Sequence, residues 1–86
     1  MSDLCNKTIE VISPSLLIDA RGLACPLPLL KAKQGLNQLA VGECLQLLAT
    51  DPGSERDIHA YMSLSAHHLE SFSIDAGTYI YLIRKG

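Results

Sequence analysis

Three cysteines, three histidines and a handful of carboxylates are the residues in this chain with chemistry to offer. Cys25 stands apart from the rest. It lies in Gly22-Leu23-Ala24-Cys25-Pro26-Leu27-Pro28, directly before a proline. Proline has no N–H and a fixed φ, so it suits the first turn of a helix, where that donor has no internal partner. It also pushes the preceding residue out of the α region. The spacing therefore predicts a helix opening at Pro26, with Cys25 as its N-cap. A helix N-terminus carries partial positive charge, and thiols so placed can have pKa values lowered from about 8.5 to roughly 3.5–7.5. Cys25 is thus expected to be a reactive thiolate. Pro26 and Pro28 remove two of the free N–H groups of the helix start, which leaves Leu27 N–H as the expected donor to the sulfur.

The surroundings of Cys25 narrow the chemistry. No histidine–carboxylate pair and no second cysteine adjoin it in sequence, so hydrolysis of the cysteine–histidine kind has no base in view. A thiolate that accepts an atom and passes it on needs less apparatus. Asp51 ends a predicted strand and falls at the same sheet end as Cys25 if the two strands run parallel; turn chemistry is its ordinary role. Ser54 and Asp57 have the spacing of a capping box. Pro26, Leu27, Pro28, Asp51 and Asp57 are therefore expected to shape the site. Lys31 and Lys33 project from the predicted helix near the thiol, as a solvated face or as a docking patch for partners. His59, His67 and His68 lack the i, i+4 spacing of a helical ligand pair and have no cysteine at ligand spacing, so no metal site and no cofactor are expected.

The bulk composition sets limits. The chain has 86 residues, 48% hydrophobic and 19% charged, which is enough for one small globular domain. Its formal net charge of −2 gives no electrostatic footprint for nucleic acid. No apolar run approaches the roughly 18 residues of a membrane span, and no apolar leader core is visible. The odd cysteine count, without a Cys-x-x-Cys pair, argues against a disulfide framework and for a reduced, cytoplasmic setting. Cys5 reads as incidental and Cys44 as a small core hydrophobe.

The elements that must position Cys25 follow from periodicity. Residues 1–15 read as an N-terminal extension, with Thr8–Ile12 alternating weakly as a short strand would. The domain proper spans 16–86. Leu16–Ala20 is a first strand, stopped by Arg21-Gly22. A helix from Pro26 carries Leu29, Ala32, Leu36, Leu39 and Ala40 on one face, with Gly35 in its middle, and ends before Gly42. Glu43–Thr50 is a nearly all-apolar strand, as a central strand should be. Strand, helix and strand make a right-handed crossover, so these two strands should be parallel. A second helix starts near Ser54, with Ile58, Tyr61, Met62 and Ser65 inward. Leu69–Asp75 and Thr78–Arg84 alternate around Asp75-Ala76-Gly77, a hairpin signal. The order β-α-β-α-β-β predicts an α+β two-layer sandwich, a four-stranded mixed sheet with both helices on one face.

Leu17–Pro28 resembles the signature of the TusA/SirA family of sulfur carriers, with its Cys-Pro-x-Pro motif opening the first helix. Gly42-Glu43, Asp51-Pro52, Asp57-Ile58 and the closing Tyr81–Gly86 run also match, so the resemblance covers roughly residues 16–86. It implies the same two-layer fold. It also implies that Cys25 takes sulfane sulfur from a cysteine desulfurase or rhodanese-like donor, holds it as a persulfide, and delivers it to a cysteine of an acceptor protein. In one branch that sulfur ends in 2-thiouridine of tRNA. Ala24 and Leu27 stand where that branch often has arginine and glutamate. Two other readings of the residues compete: a regulatory module that binds a partner through the Cys25 face, and a redox sensor in which Cys44 or Cys5 resolves an oxidised Cys25.

Overall fold

The computed structural model describes residues 14–86; the weak strand at Thr8–Ile12 and Cys5 lie outside them. The elements are β1 (Leu16–Ala20), α1 (Leu27–Asn37), β2 (Cys44–Ala49), α2 (Gly53–Leu64), β3 (His68–Asp75) and β4 (Thr78–Arg84). They form one mixed sheet in the order β1-β2-β4-β3. β1 and β2 are parallel, in register from Leu16 opposite Leu45 to Ala20 opposite Ala49. The pairings of β4 with β2 and with β3 are antiparallel. The expected β-α-β-α-β-β two-layer architecture is therefore the one the chain adopts. No helix among the described residues is long and apolar enough to cross a membrane.

The core lies between the helices and one sheet face. Ala20, Leu45, Leu47, Ala49, Tyr81 and Ile83 point from the strands towards Ala32 and Leu36 of α1 and Ile58 of α2, all of them buried. Period-two alternation puts these strand residues on one side, and helical spacing does the same for the helix residues. Gly35 sits where α1 comes closest to the sheet. A Cβ there would meet Leu45 Cδ2 at 3.1 Å and Leu16 Cδ2 at 3.2 Å. The glycine's conformational cost thus accompanies a close helix–strand approach, which pins α1 over β1 and β2.

Several boundaries differ from the sequence expectation. α1 has 11 residues and ends at Asn37, short of the expected end before Gly42. Leu39 N–H turns back to Leu36 O at 3.2 Å. Glu43 Oε1 then accepts Ala40 N–H at 2.7 Å, so the chain leaves the helix before Gly42 while Leu39 still packs in the core. A register shift between Leu69 and Ser71 puts Leu69 on the same side as Phe72, which simple alternation would not do. At the hairpin both Ala76 (φ 51°) and Gly77 (φ 83°) have positive φ, the signature of a tight two-residue turn whose twist suits the flanking strands.

The capping box expected at Ser54 and Asp57 does not form. α2 has no side-chain cap. Ser54 is buried and shares a 2.9 Å hydrogen bond with the Tyr81 hydroxyl. Burial holds the Tyr81 pKa above the ordinary phenol value, so both groups stay neutral and satisfy each other inside the core. Asp57 is left free for another partner.

Candidate functional site

β1 and β2 run parallel, so the loop after β1 and the loop after β2 emerge at one end of the sheet. This is where α/β sheets place ligands and reactive groups. The loop after β1 is built from two successive turns. Leu23 N–H bonds Ala20 O at 3.2 Å, and Leu27 N–H bonds Ala24 O at 2.9 Å. Gly22, at φ 82°, allows the first turn, and its N–H bonds Thr50 Oγ1 at 2.9 Å, which ties the loop to the end of β2. Asp19 accepts both Arg21 Nε and Nη2 at 2.8 Å, and this guanidinium holds the Asp19 pKa down at about 2. Cys25 sits exposed in the second turn.

The thiol's relation to α1 differs from the expectation. The Cys25–Pro26 peptide is cis. Pro26, at φ −100° and ψ 19°, is the N-cap, and Pro28 falls within the first helical turn. Cys25 therefore lies one residue further from the helix than predicted. Leu27 N–H, expected to serve the sulfur, is spent on Ala24 O.

Its neighbours come instead from α2. A Cβ on Gly53 would lie 3.4 Å from Cys25 Cβ and 3.6 Å from Sγ, so the first residue of α2 abuts the thiol. The N–H groups of that helix start are occupied. Asp51 Oδ2 accepts Gly53 N–H at 2.9 Å, and Asp51 O accepts Ser54 N–H at 3.0 Å. One turn beyond Gly53, on the same side of α2, Asp57 accepts a hydrogen bond from Cys25 Sγ through Oδ2. Asp57 Oδ1 faces Arg56 Nε at 3.8 Å. The site is thus a thiol beside two carboxylates and one guanidinium.

This arrangement raises the Cys25 pKa above the ordinary thiol value. The hydrogen bond to Asp57 is the main cause, followed by desolvation and by the negative charges of Asp57 and Asp51, with Arg56 acting weakly in the other direction. Each carboxylate disfavours a second negative charge nearby. The expected thiolate is therefore a thiol at rest. A raised pKa lowers the thiolate fraction at any given pH. Alkylation of Cys25 by iodoacetamide is accordingly expected to be slower at neutral pH than that of a free thiol such as N-acetylcysteine, with its pH midpoint displaced upwards. Peptide mass mapping isolates Cys25 from the other cysteines, and a midpoint at or below that of the free thiol would contradict this reading.

The remaining candidates are distributed as follows. Asp51 has the turn role expected of it, and it also adds charge at the thiol. Lys31 is exposed on α1. Lys33 Nζ lies 4.9 Å from the centre of the Tyr61 ring, a cation–π contact that bridges α1 and α2. His59 packs edge-on against Phe72 at 5.4 Å, and His67 Nδ1 accepts Gly86 N–H at 3.1 Å. Cys44 is buried at the opposite end of β2, which sets it apart from Cys25 as a resolving partner. The contact of Gly53 with the thiol escaped the sequence reading. Its i, i+4 relation to Asp57, on the helix that follows a strand parallel to β1, is the signal that points to it. A cavity of about 420 Å³ lined by Val41, His68, Glu70 and Arg84 lies at the other end of the sheet.

Leu27 and Leu30, 43% and 44% exposed, lie on the first turn of α1, which follows the Cys25 turn in sequence.

Comparison with known proteins shows what the chain is similar to. The family model described as Sulfurtransferase TusA matches residues 17–85. A sulfur carrier protein TusA of Pseudomonas putida is 41% identical over 73 residues, covering 85% of this chain and 91% of that protein. A sulfur carrier protein TusA of Allochromatium vinosum is 41% identical over 68 residues, covering 79% and 90%. Among solved structures, a SirA-like protein from Desulfitobacterium hafniense superposes with a TM-score of 0.72 at 26% identity, over 83% of this chain and 97% of that one.

Proposed function

Because the chain belongs to the TusA family of sulfurtransferases, we propose that it is a sulfur-relay protein whose Cys25 carries sulfane sulfur as a persulfide. The observation that supports this most is the exposed Cys25 thiol at the end of the parallel strands, held by turns. Among the described residues, its side-chain hydrogen-bond partner there is Asp57. A thiol on an open surface can meet the cysteine of a second protein directly. The persulfide is the only covalent cargo this reading requires, with no separate cofactor.

The donor is a cysteine desulfurase or a rhodanese-like protein, and the acceptor is a protein with a reactive cysteine. Sulfur taken this way leads towards tRNA thiolation through the acceptor; the nucleic acid itself does not dock on a chain with a net charge of −2. Such exchange belongs in a reducing compartment, the cytoplasm, where thiols stay free. Lys31, exposed on α1, is the cation expected to meet an acidic partner.

The test is direct loading. Incubation with a cysteine desulfurase and cysteine is expected to add one sulfur atom to the protein, removable by dithiothreitol and mapping by mass spectrometry to the peptide that contains Cys25. No uptake, or uptake mapping to Cys44, would overturn the assignment.

A further inference from the structure

A protonated thiol is a poor nucleophile, yet the proposed carrier must attack the outer sulfur of a donor persulfide. Something has to take its proton as it does so. Among the described residues, one group accepts a hydrogen bond from Cys25 Sγ, and that is Asp57 Oδ2. Its carboxylate is well placed for the task. The side chain is only 21% exposed, so its direction is set by α2 rather than by solvent. Arg56 stands at the other oxygen, Oδ1, and leaves Oδ2 to the thiol. Asp51, the second carboxylate near the sulfur, has its Oδ2 tied to Gly53 N–H. Among the described residues, the charged groups that bear on Cys25 are thus Asp57, Asp51 and Arg56, and of these Asp57 accepts its hydrogen bond.

Resting on the sulfur-carrier reading, we propose that Asp57 is the catalytic base that accepts the Cys25 proton during sulfur uptake and returns it to the departing donor thiolate. The step balances without an external oxidant or reductant. The Sγ–H bond breaks and its proton passes to Asp57 Oδ2. The sulfur's electron pair forms a bond to the outer sulfur of R–S–SH while the donor S–S bond breaks. The donor leaves as R–S⁻ and collects the proton from Asp57, giving R–SH and Cys25–S–SH. Delivery to an acceptor thiol runs the same exchange with the acceptor as nucleophile. A carboxylate that holds the thiol protonated at rest and takes the proton only when an electrophile is aligned makes attack conditional on the partner's arrival.

Two rates measured side by side at neutral pH test this. One is single-turnover sulfur uptake from glutathione persulfide, a small donor that needs no docking surface. The other is alkylation by iodoacetamide. Asp57→Asn keeps the shape of the side chain and removes its basicity. It is expected to slow uptake by about 10²-fold, at the lower end of general-base effects, while alkylation speeds up because the thiol pKa falls. Asp57→Glu is expected to recover part of the uptake. Uptake by Asp57→Asn at or above the wild-type rate would overturn the proposal, since thiolate fraction alone would then govern the chemistry. A parallel fall in both rates would overturn it too, by showing that Asp57 only positions the thiol. Should Asp57→Asn fail to fold, Asp57→Ser is measured in its place against the same outcomes. Wild-type protein that takes up no sulfur at all would refute the carrier reading itself, a result distinct from any of these.

Discussion

Cys25→Ser is expected to take up no sulfur from a desulfurase supplied with cysteine, while Cys44→Ser takes up sulfur as the unaltered chain does. A serine hydroxyl cannot hold a persulfide, so the loss is complete and independent of partner affinity. The same hydroxyl can still donate to Asp57 Oδ2, the bond Cys25 makes. Cys25 is exposed, so the substitution should change stability by no more than about 0.5 kcal/mol, as at most surface positions. Cys44 behaves oppositely. It is 5% exposed, and a hydroxyl left there without a partner is expected to cost about 1–3 kcal/mol. Intact-mass measurement after loading, paired with a thermal melt of each variant, separates the two. Sulfur retained by Cys25→Ser, or lost by Cys44→Ser, would mean that the wrong cysteine has been assigned.

Leu47→Ala is expected to cost about 2–5 kcal/mol, as buried leucine truncations do. Leu47 is fully buried in the middle of β2. It pairs with Ile18 on one side and Tyr81 on the other, so the void would open inside the core cluster it shares with Leu36 and Ile58. Small domains have a net stability of only about 0.05–0.15 kcal/mol per residue, so this one substitution removes a large share of the whole. A shift of about 4–8 °C per kcal/mol applies to domains near this size, and the melt of Leu47→Ala should fall accordingly. Urea unfolding gives the cleaner measure. The midpoint should drop while the slope stays the same, because the surface exposed on unfolding is little altered. A midpoint within error of wild type would mean that the core can close around the missing atoms, contrary to the packing described.

The architecture was legible in the sequence because its signals are periodic and redundant. The apolar run of β2 announced a central strand, and β2 is paired on both sides. The short crossover implied parallel β1 and β2, and Ala76-Gly77 marked the hairpin. The reactive position was legible for the same reason, since a cysteine between a strand and a proline-opened helix has few other places to go. The thiol's environment was not. The Cys25–Asp57 hydrogen bond spans 32 positions, and no local rule reaches that far. Locally, Ser54 and Asp57 satisfied the capping-box pattern. Ser54 instead found Tyr81 in the core and Asp57 found the thiol, because two tertiary partners outcompeted one helix cap. The sign of the thiol's pKa shift is not legible locally, for a related reason. The local pattern points to α1, yet Leu27 N–H is spent on Ala24 O, and the charges of the described residues that act on Cys25 sit on α2 and the turn before it.

The bond between Cys25 and Asp57 also bears on how the protein survives between encounters. Peroxides and stray disulfides consume cysteines in proportion to their thiolate character and exposure. An exposed cysteine that was also a standing thiolate would be trapped by whatever oxidant or small disulfide reached it first, and a trapped carrier is out of circulation until it is repaired. Holding the proton in place makes the idle molecule chemically quiet while Cys25 remains exposed. Selectivity between a rightful partner and a chance oxidant then needs no lid and no burial, only a carboxylate on the adjacent helix.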